Sequence, residues 1–375
     1  MDVTARYGSL ELKNPIIASS AGITAYADRM KRAEDAGAAA VVMKSLFENP
    51  IPRTGDPSPH MLILRQSLGP MTSESFYSYE QASHLDEHAY ADELRRAKDS
   101  LQIPVIANLD CSTYEAWIEY ASIVEQAGAD AIEVKMCPHT EHSRSLPLDQ
   151  AIRAVKTTVK VPVIAKILPQ IDDPVATYLK ACEAGADGVV MFNRFAGLDI
   201  DTKTRRPVMH GSIAGFGGAW YIHYCLRWIA ECHARSSVPI CGSGGVGSGD
   251  DIVKYILAGA SAVEVATLII LEGYSAISRL LREVSLWMQE QQVHSLMQVI
   301  GTAAASVKRL DQVDRVTQCK AVIHPDACVS CGQCEKCCFR QAVTGAPYRV
   351  IPELCEGCGL CVHICPANAI GMTKA

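Results

Sequence analysis

The sequence predicts an α/β protein, a closed (β/α)8 barrel followed by a small α+β domain rich in cysteine. Three observations carry this prediction. The phrase Ala-Gly-Ala recurs four times before Glu290, at Ala36–Ala38, Ala127–Ala129, Ala184–Ala186 and Ala258–Ala260. A second phrase, with proline in the middle, opens three further apolar runs at Ile103–Val105, Val161–Val163 and Val238–Ile240. Nine of the sixteen cysteines fall between Cys328 and Cys365.

Each Ala-Gly-Ala follows a helical pattern and precedes a short β-rich run: Val41–Met43, Ile132–Val134, Val189–Met191 and Val263–Val265. Glycine there suits a helix C-cap, and the apolar run suits a parallel strand buried on both faces. Proline at the start of a strand is tolerated because its missing N–H lies outside the ladder. With Pro15–Ala18 as the first strand, about eight strands alternate with helices, the number of a TIM-type barrel. Helices are expected over 29–36, 92–101, 114–127, 148–159, 174–184, 219–234, 250–258 and 274–290. The alternative, a doubly wound open sheet, needs a break in strand order that the even repeat does not supply. The long connection over 46–84 reads as a substrate lid or a structural cap. Residues 195–218 form another connection, with a small hairpin expected in Asp199–Arg206, and a further helical pattern runs from His294 to Arg309. The barrel is therefore assigned to 1–310 and the second domain to 320–375.

That second domain reads Cys328-x2-Cys331-x2-Cys334-x3-Cys338, then Cys355-x2-Cys358-x2-Cys361-x3-Cys365-Pro366. The spacing fits the bacterial ferredoxin pattern, in which the fourth cysteine of each run ligates the other run's cluster. One 4Fe–4S cluster is assigned to Cys328, Cys331, Cys334 and Cys365, and a second to Cys355, Cys358, Cys361 and Cys338. A pair of zinc ribbons needs neither the third cysteine nor the fourth in each run. Phe339 stands where the first run would carry proline, and Cys337 falls outside the spacing.

A net charge of -6 gives no general attraction for nucleic acid or an anionic membrane. No N-terminal run resembles a signal peptide, and no stretch is apolar enough to span a bilayer. The remaining cysteines follow no disulfide pattern, so a reducing, cytoplasmic location is expected.

In a barrel the chemistry sits at the C-terminal strand ends. Those ends carry Ser19-Ser20, Lys44-Ser45, Asn108, Lys135-Met136-Cys137, Lys166, Asn193-Arg194, Gly244-Gly245 and Ala266-Thr267. Three lysines at one mouth point to a bound anionic cofactor, because a buried ammonium is costly without an anion. The run Gly242–Gly247 matches a dinucleotide fingerprint, with Glu264 at roughly the fingerprint's acidic spacing. Its place after strand seven favours instead the phosphate cradle of a mononucleotide, completed by Gly217, Gly218, Ala266 and Thr267.

Lys44-Ser45, Glu133 to Pro138, Ala165-Lys166, Asn193, Gly217-Gly218, Gly244-Gly245 and Thr267 together resemble the dihydroorotate dehydrogenase-like flavoproteins. A barrel followed by a two-cluster ferredoxin is similar to the catalytic part of dihydropyrimidine dehydrogenase. The resemblance implies FMN at the barrel mouth, held by Ser20, Lys44, Ser45, Lys166, Asn193 and the glycines. It implies that Cys137 is the acid–base residue, with His139 beside it and Lys166 at the flavin. The chain departs from the family motif Glu-x-Asn-x-Ser-Cys-Pro, being one residue shorter, and Lys135 takes the place of a substrate-binding asparagine. Lys135 and Arg194, with Asn193, imply a substrate carrying a carboxylate or an acidic imide.

The expected activity is reduction, or the reverse oxidation, of an activated carbon–carbon double bond by FMN and iron–sulfur clusters. The alternative is an electron-transfer subunit of a larger redox complex without its own small-molecule substrate. No NAD(P)H-binding domain remains once the glycine run is given to FMN. A partner flavoprotein or a ferredoxin is therefore expected to exchange electrons with the chain, which is expected to be oligomeric.

Overall fold

The computed structural model describes residues 1–48, 61–68, 71–78, 85–135, 146–208, 214–308, 310–313 and 319–374. It divides into two compact units, Met1–Val307 and Lys308–Ala375.

In the first unit eight parallel strands close on themselves: β1 (Ile16–Ala18), β2 (Ala40–Val42), β3 (Val105–Asp110), β4 (Ala131–Lys135), β5 (Val163–Ile167), β6 (Gly188–Met191), β7 (Ile240–Ser243) and β8 (Ala260–Val265). Closure is made by β8 on β1, where Val263 pairs with Ile16 and Val265 with Ala18. The glycines of the four Ala-Gly-Ala phrases all take left-handed φ, from +95° to +114°, which ends each helix and turns the chain into its strand. The three strand-opening prolines use only their carbonyls. Pro104, Pro162 and Pro239 accept from Val41, Ile132 and Val189 on the neighbouring strands, at 2.9–3.0 Å. Among the described residues eight longer helices flank the barrel, besides a short one at Thr267–Glu272: α1 (Ala27–Asp35), α2 (Glu87–Ser100), α3 (Tyr114–Gln126), α4 (Leu148–Thr158), α5 (Pro174–Glu183), α6 (Ile222–His233), α7 (Gly249–Ala258) and α8 (Ser275–Glu290). Asp86, Thr113, Asp173 and Ser248 cap α2, α3, α5 and α7 by accepting backbone N–H groups with their side chains.

Alternation along the strands sorts the barrel interior into layers. The lower layer is apolar and mostly small: Ile17, Ala40, Val42, Ile106, Ala131, Ile164, Val190, Cys241 and Ala262. Ala5, Tyr7, Leu10 and Leu12 join it from an N-terminal hairpin, Ala5–Tyr7 with Leu10–Leu12. This hairpin was not expected from the sequence. Two residues further along each strand stand Ser19, Lys44, Asn108, Glu133, Lys166, Phe192, Ser243 and Glu264. The floor of the mouth is thus polar and charged.

Two further segments carry structure that the sequence did not reveal. The connection over 46–84 contributes a strand pair, Met61–Leu68 with Met71–Ser78. It adds to Ala214–Gly217 and then Phe195–Gly197, making a four-stranded antiparallel sheet on the rim. Gly218 permits this approach, since a Cβ there would overlap the Glu74 carbonyl. The helix expected from His294 to Arg309 is replaced by two 3-10 turns, Leu296–Gln298 and Ala304–Ser306. Gly301 lies between them at φ +73° against His233, where no side chain would fit. The hairpin expected in Asp199–Arg206 is present as Ile200–Asp201 paired with Arg206–Pro207.

The second unit pairs Cys319–Ile323 with Ile370–Lys374, and Val343–Thr344 with Arg349–Val350. Two short helices, Gln333–Cys337 and Leu360–Ile364, each follow a left-handed glycine, Gly332 at φ +74° and Gly359 at φ +77°. Among the described residues, no helix is long and apolar enough to cross a membrane.

Candidate active site

A cleft of about 3500 Å3, including the space open to solvent, lies over the C-terminal strand ends of the barrel. It gathers Ser20, Lys44, Ser45, Lys135, Lys166, Asn193, Arg194, Gly217, Gly218, Gly244, Gly245, Ala266 and Thr267. Every expected cofactor and substrate residue among the described ones therefore faces one space. Cys137 and His139 lie outside the described residues.

The glycine corner has the shape an anion needs. Gly244 and Gly245 take φ of +102° and +72°, and a Cβ would stand 2.6 Å from the Tyr221 ring or 2.5 Å from the Ile222 nitrogen. The backbone N–H groups of Gly244, Gly245 and Val246 make no hydrogen bond among the described residues. Unpaired N–H groups on a glycine turn beside a helix start suit a phosphate. These residues fit FMN. Glu264, which follows the glycine run at the fingerprint's spacing, has partners within the protein. It is buried inside the barrel, where Lys166 Nζ and Ser19 Oγ both donate to its Oε2 at 2.5 Å.

Lys166 also donates to Glu133 Oε1 at 3.1 Å, and Asn108 Nδ2 donates to the same oxygen. One ammonium thus faces two carboxylates in a site where none of the three is more than 4% exposed. Burial opposes charge on Lys166, but Glu133 and Glu264 outweigh it and hold the ammonium pKa above its ordinary value. Burial, and then repulsion from Glu264, push Glu133 up to about 8 against the pull of Lys166. Burial also opposes charge on Glu264, but Lys166 and its hydrogen bonds hold that carboxyl below its usual range. Sequence reading selected Lys166 without its partners. The signal was there: Ile132-Glu133-Val134 and Val263-Glu264-Val265 each bury an acid mid-strand, and buried acids need a cation.

Lys135 also has a partner within the protein. It lines the cleft, yet its Nζ donates to Asp110 Oδ2 at 2.5 Å and lies 5.0 Å from the Phe47 ring centroid. Asp110 is 6% exposed, so the pair is shielded from water. The charge expected to receive a substrate carboxylate is already neutralised within the protein. Arg194 packs over Gly215, which has no Cβ to obstruct it. Asn193 donates its backbone N–H to Ile167 and accepts Tyr221 Oη at 2.6 Å through its carbonyl. The cleft wall above carries Phe76, Phe195 and Ile63 from the rim sheet.

In the second unit the cysteines separate into two cavities. Cys328, Cys331, Cys334 and Cys365 line one of about 310 Å3; Cys338, Cys355, Cys358 and Cys361, with Cys337, line another of about 410 Å3. Ala342 N donates to Cys338 Sγ at 3.2 Å, and Ala369 N donates to Cys365 Sγ at 3.3 Å. Among the described residues no three His, Cys, Asp or Glu side chains converge on a single-ion position. Thiolates spread around a cavity suit a multi-atom cluster, so the donor set fits iron–sulfur ligation.

Comparison with known proteins agrees with this arrangement. The profile described as Dihydroorotate dehydrogenase matches residues 3–288, and that described as 4Fe-4S binding domain matches residues 348–371. The chain is 29% identical over 303 residues to the dihydroorotate dehydrogenase B (NAD(+)) catalytic subunit of Pyrococcus abyssi, covering 78% of the chain and 96% of that protein. It is 28% identical over 362 residues to the NAD-dependent dihydropyrimidine dehydrogenase subunit PreA of Escherichia coli, covering 90% of the chain and 85% of the relative. The protein is a flavin- and iron–sulfur-dependent oxidoreductase acting on a CH–CH bond, with FMN and 4Fe–4S as its cofactors. With its barrel and its cysteine-bearing C-terminal unit matched in turn, the chain belongs to the dihydroorotate dehydrogenase family, as a member with a ferredoxin-type domain.

Proposed function

We propose that the chain reduces, or in reverse dehydrogenates, an activated carbon–carbon bond in a pyrimidine-like ring, drawing electrons from a separate redox protein. The observation that supports this most is the convergence of Lys44, Lys166, Asn193, Gly244, Gly245 and Thr267 on one cleft at the barrel mouth. Bound FMN supplies hydride chemistry there, and clusters held by Cys328, Cys331, Cys334, Cys365 and by Cys338, Cys355, Cys358, Cys361 supply single electrons.

The chain's own residues do the rest. Ser20, Ser45 and Lys44 hold the ring edge, while the glycine corner, Gly217, Gly218, Ala266 and Thr267 hold the phosphate. Lys166 carries positive charge where negative charge collects on reduction. Cys137 exchanges a proton with the carbon next to the one that exchanges hydride, and His139 assists it. A thiol serves both directions because its ordinary pKa, about 8.5, lies near neutrality. The neutralised Lys135–Asp110 pair favours a neutral carbonyl or imide oxygen over a carboxylate at that end of the cleft, since a second anion beside Asp110 would be repelled. Asn193 and Arg194 face the substrate from β6. Both relatives are named as NAD-dependent or NAD(+) subunits, which supports a partner that handles NAD.

The test is Cys137→Ala, assayed anaerobically. Loss of substrate turnover with unchanged reduction of the flavin through the clusters supports the enzyme reading. Unchanged physiological activity would leave an electron-transfer subunit in its place.

A further inference from the structure

We propose that Glu133 and Glu264 share one proton beneath the cleft, and that they act through Lys166 as positioning residues that set the reduction potential of the bound flavin. The proposal rests on the reading that places FMN against Lys166.

The geometry carries it. Glu264 Oε2 receives both Lys166 and Ser19 at 2.5 Å, whereas Glu133 Oε1 has the longer contact to Lys166, 3.1 Å, and accepts the Asn108 amide. Among the described residues Glu133 Oε2 is buried with no hydrogen-bond donor or acceptor beside it, and so is Asn108 Oδ1. A lone ammonium balances one carboxylate. A second full charge in a dry site costs several kcal/mol, and a carboxyl in that position takes up a proton instead. The orphaned Glu133 Oε2 is the natural place for it, since Glu264 already accepts two donors.

Other titratable groups lie around the pair. Tyr7 and Cys241 approach from the layer below, and burial holds both in their neutral forms. Tyr90, from α2, accepts the Asn108 backbone N–H at 3.1 Å and is likewise held neutral by burial. Lys44 lines the cleft from β2, and Lys135 from β4 is already bonded to Asp110.

A shared proton makes a specific, non-additive prediction. Removing one carboxylate removes the proton and leaves one ammonium facing one carboxylate, so the net charge under the flavin is unchanged. Removing both leaves Lys166 uncompensated, which stabilises reduced, anionic flavin. Loss of the proton at higher pH does the opposite and makes reduction harder.

The experiment is spectroelectrochemical titration of anaerobically prepared holoprotein between pH 6 and 9, in the parent and in E133Q, E264Q and the double variant. The expected result has three parts. Each single variant stays within about threefold of the parent in its reduction equilibrium at pH 7. The double variant shifts at least tenfold toward the reduced form, about 30 mV for a two-electron couple. The parent's potential falls more steeply with pH than either single variant's. The proposal is overturned if a single variant shifts as far as the double one, or if parent and single variants share one pH profile. A flavin-free readout keeps the two readings apart. Infrared spectra of the apoprotein at pH 7 should show a protonated carboxyl band that E133Q removes. Absence of that band overturns the shared proton, while failure of every variant and the parent to bind FMN overturns the flavin site alone.

Discussion

Replacing Lys166 with methionine keeps most of the side-chain volume and deletes the one cation between Glu133 and Glu264. The structure sets the size of the effect. Lys166 is 4% exposed and bonded to carboxylates at 2.5 and 3.1 Å. Removing one partner from such a buried set costs about 3–5 kcal/mol, because the remaining charge is left without compensation. The cost depends on pH in a definite direction. In the parent, Lys166 depresses the Glu264 pKa, so Glu264 contributes stability above its unfolded value, and that stability is lost as pH falls through its folded one. In the variant the same carboxyl is buried without a cation and its pKa rises. Its protonated form then stabilises the fold at low pH, and that contribution is lost as pH rises. The gap between the two proteins should therefore widen with pH. At about 2–4 °C per kcal/mol for a domain approaching this size, the drop in Tm is on the order of 10 °C at high pH and a few degrees near the ordinary glutamate pKa. Scanning calorimetry on flavin-free chains, at pH 5 and at pH 8.5, reads this directly and separates it from any change in cofactor binding. Equal losses at the two pH values would mean lost packing rather than stranded charge.

Asp110→Asn should leave Lys135 charged beside Phe47, and spectral titration should show orotate binding at least several-fold tighter relative to uracil than in the parent; an unchanged ratio would show that Asp110 does not set the charge of that end of the cleft. Gly245→Ala forces a side chain onto φ +72° within 2.5 Å of the Ile222 nitrogen, and should lower FMN occupancy after dialysis together with at least about 1 kcal/mol of stability. Cys365→Ala and Cys338→Ala should each lower the iron content of reconstituted protein from about eight to about four. Electron paramagnetic resonance should show a different cluster lost in each. Loss of both clusters in either variant would instead make the domain's folding depend on each ligand.

Much of this architecture can be read from the amino acids because its signals are local. Left-handed glycine at Gly37, Gly128, Gly185 and Gly259 and proline at Pro104, Pro162 and Pro239 are requirements of single turns, so they recur wherever the fold repeats that turn. The cysteine spacing is equally local, and the two cavities divide the eight spaced cysteines as the cross-ligated pattern expects. What sequence reading missed is long-range. The strand pair Met61–Leu68 with Met71–Ser78 is part of a sheet with Ala214–Gly217, more than a hundred positions away. The helical pattern after His294 is broken by the approach of His233 to Gly301, which no window around Gly301 contains. Glu264 follows the glycine run at a suggestive spacing, but its partners are Lys166 and Ser19 from other strands. Lys135 reads as a free cation until Asp110, 25 residues earlier, is brought beside it.

Whether the barrel mouth holds FMN that exchanges hydride with a carbon–carbon bond can be read in anaerobically reconstituted protein. FMN and iron are counted per chain, and the reduced flavin is then exposed in turn to uracil, thymine and orotate, and the oxidised flavin to their dihydro forms. One FMN per chain is expected, with flavin re-oxidation or reduction by at least one of these compounds, lost in Cys137→Ala. Protein that retains no FMN, or a bound flavin whose redox state none of these compounds changes, would contradict it.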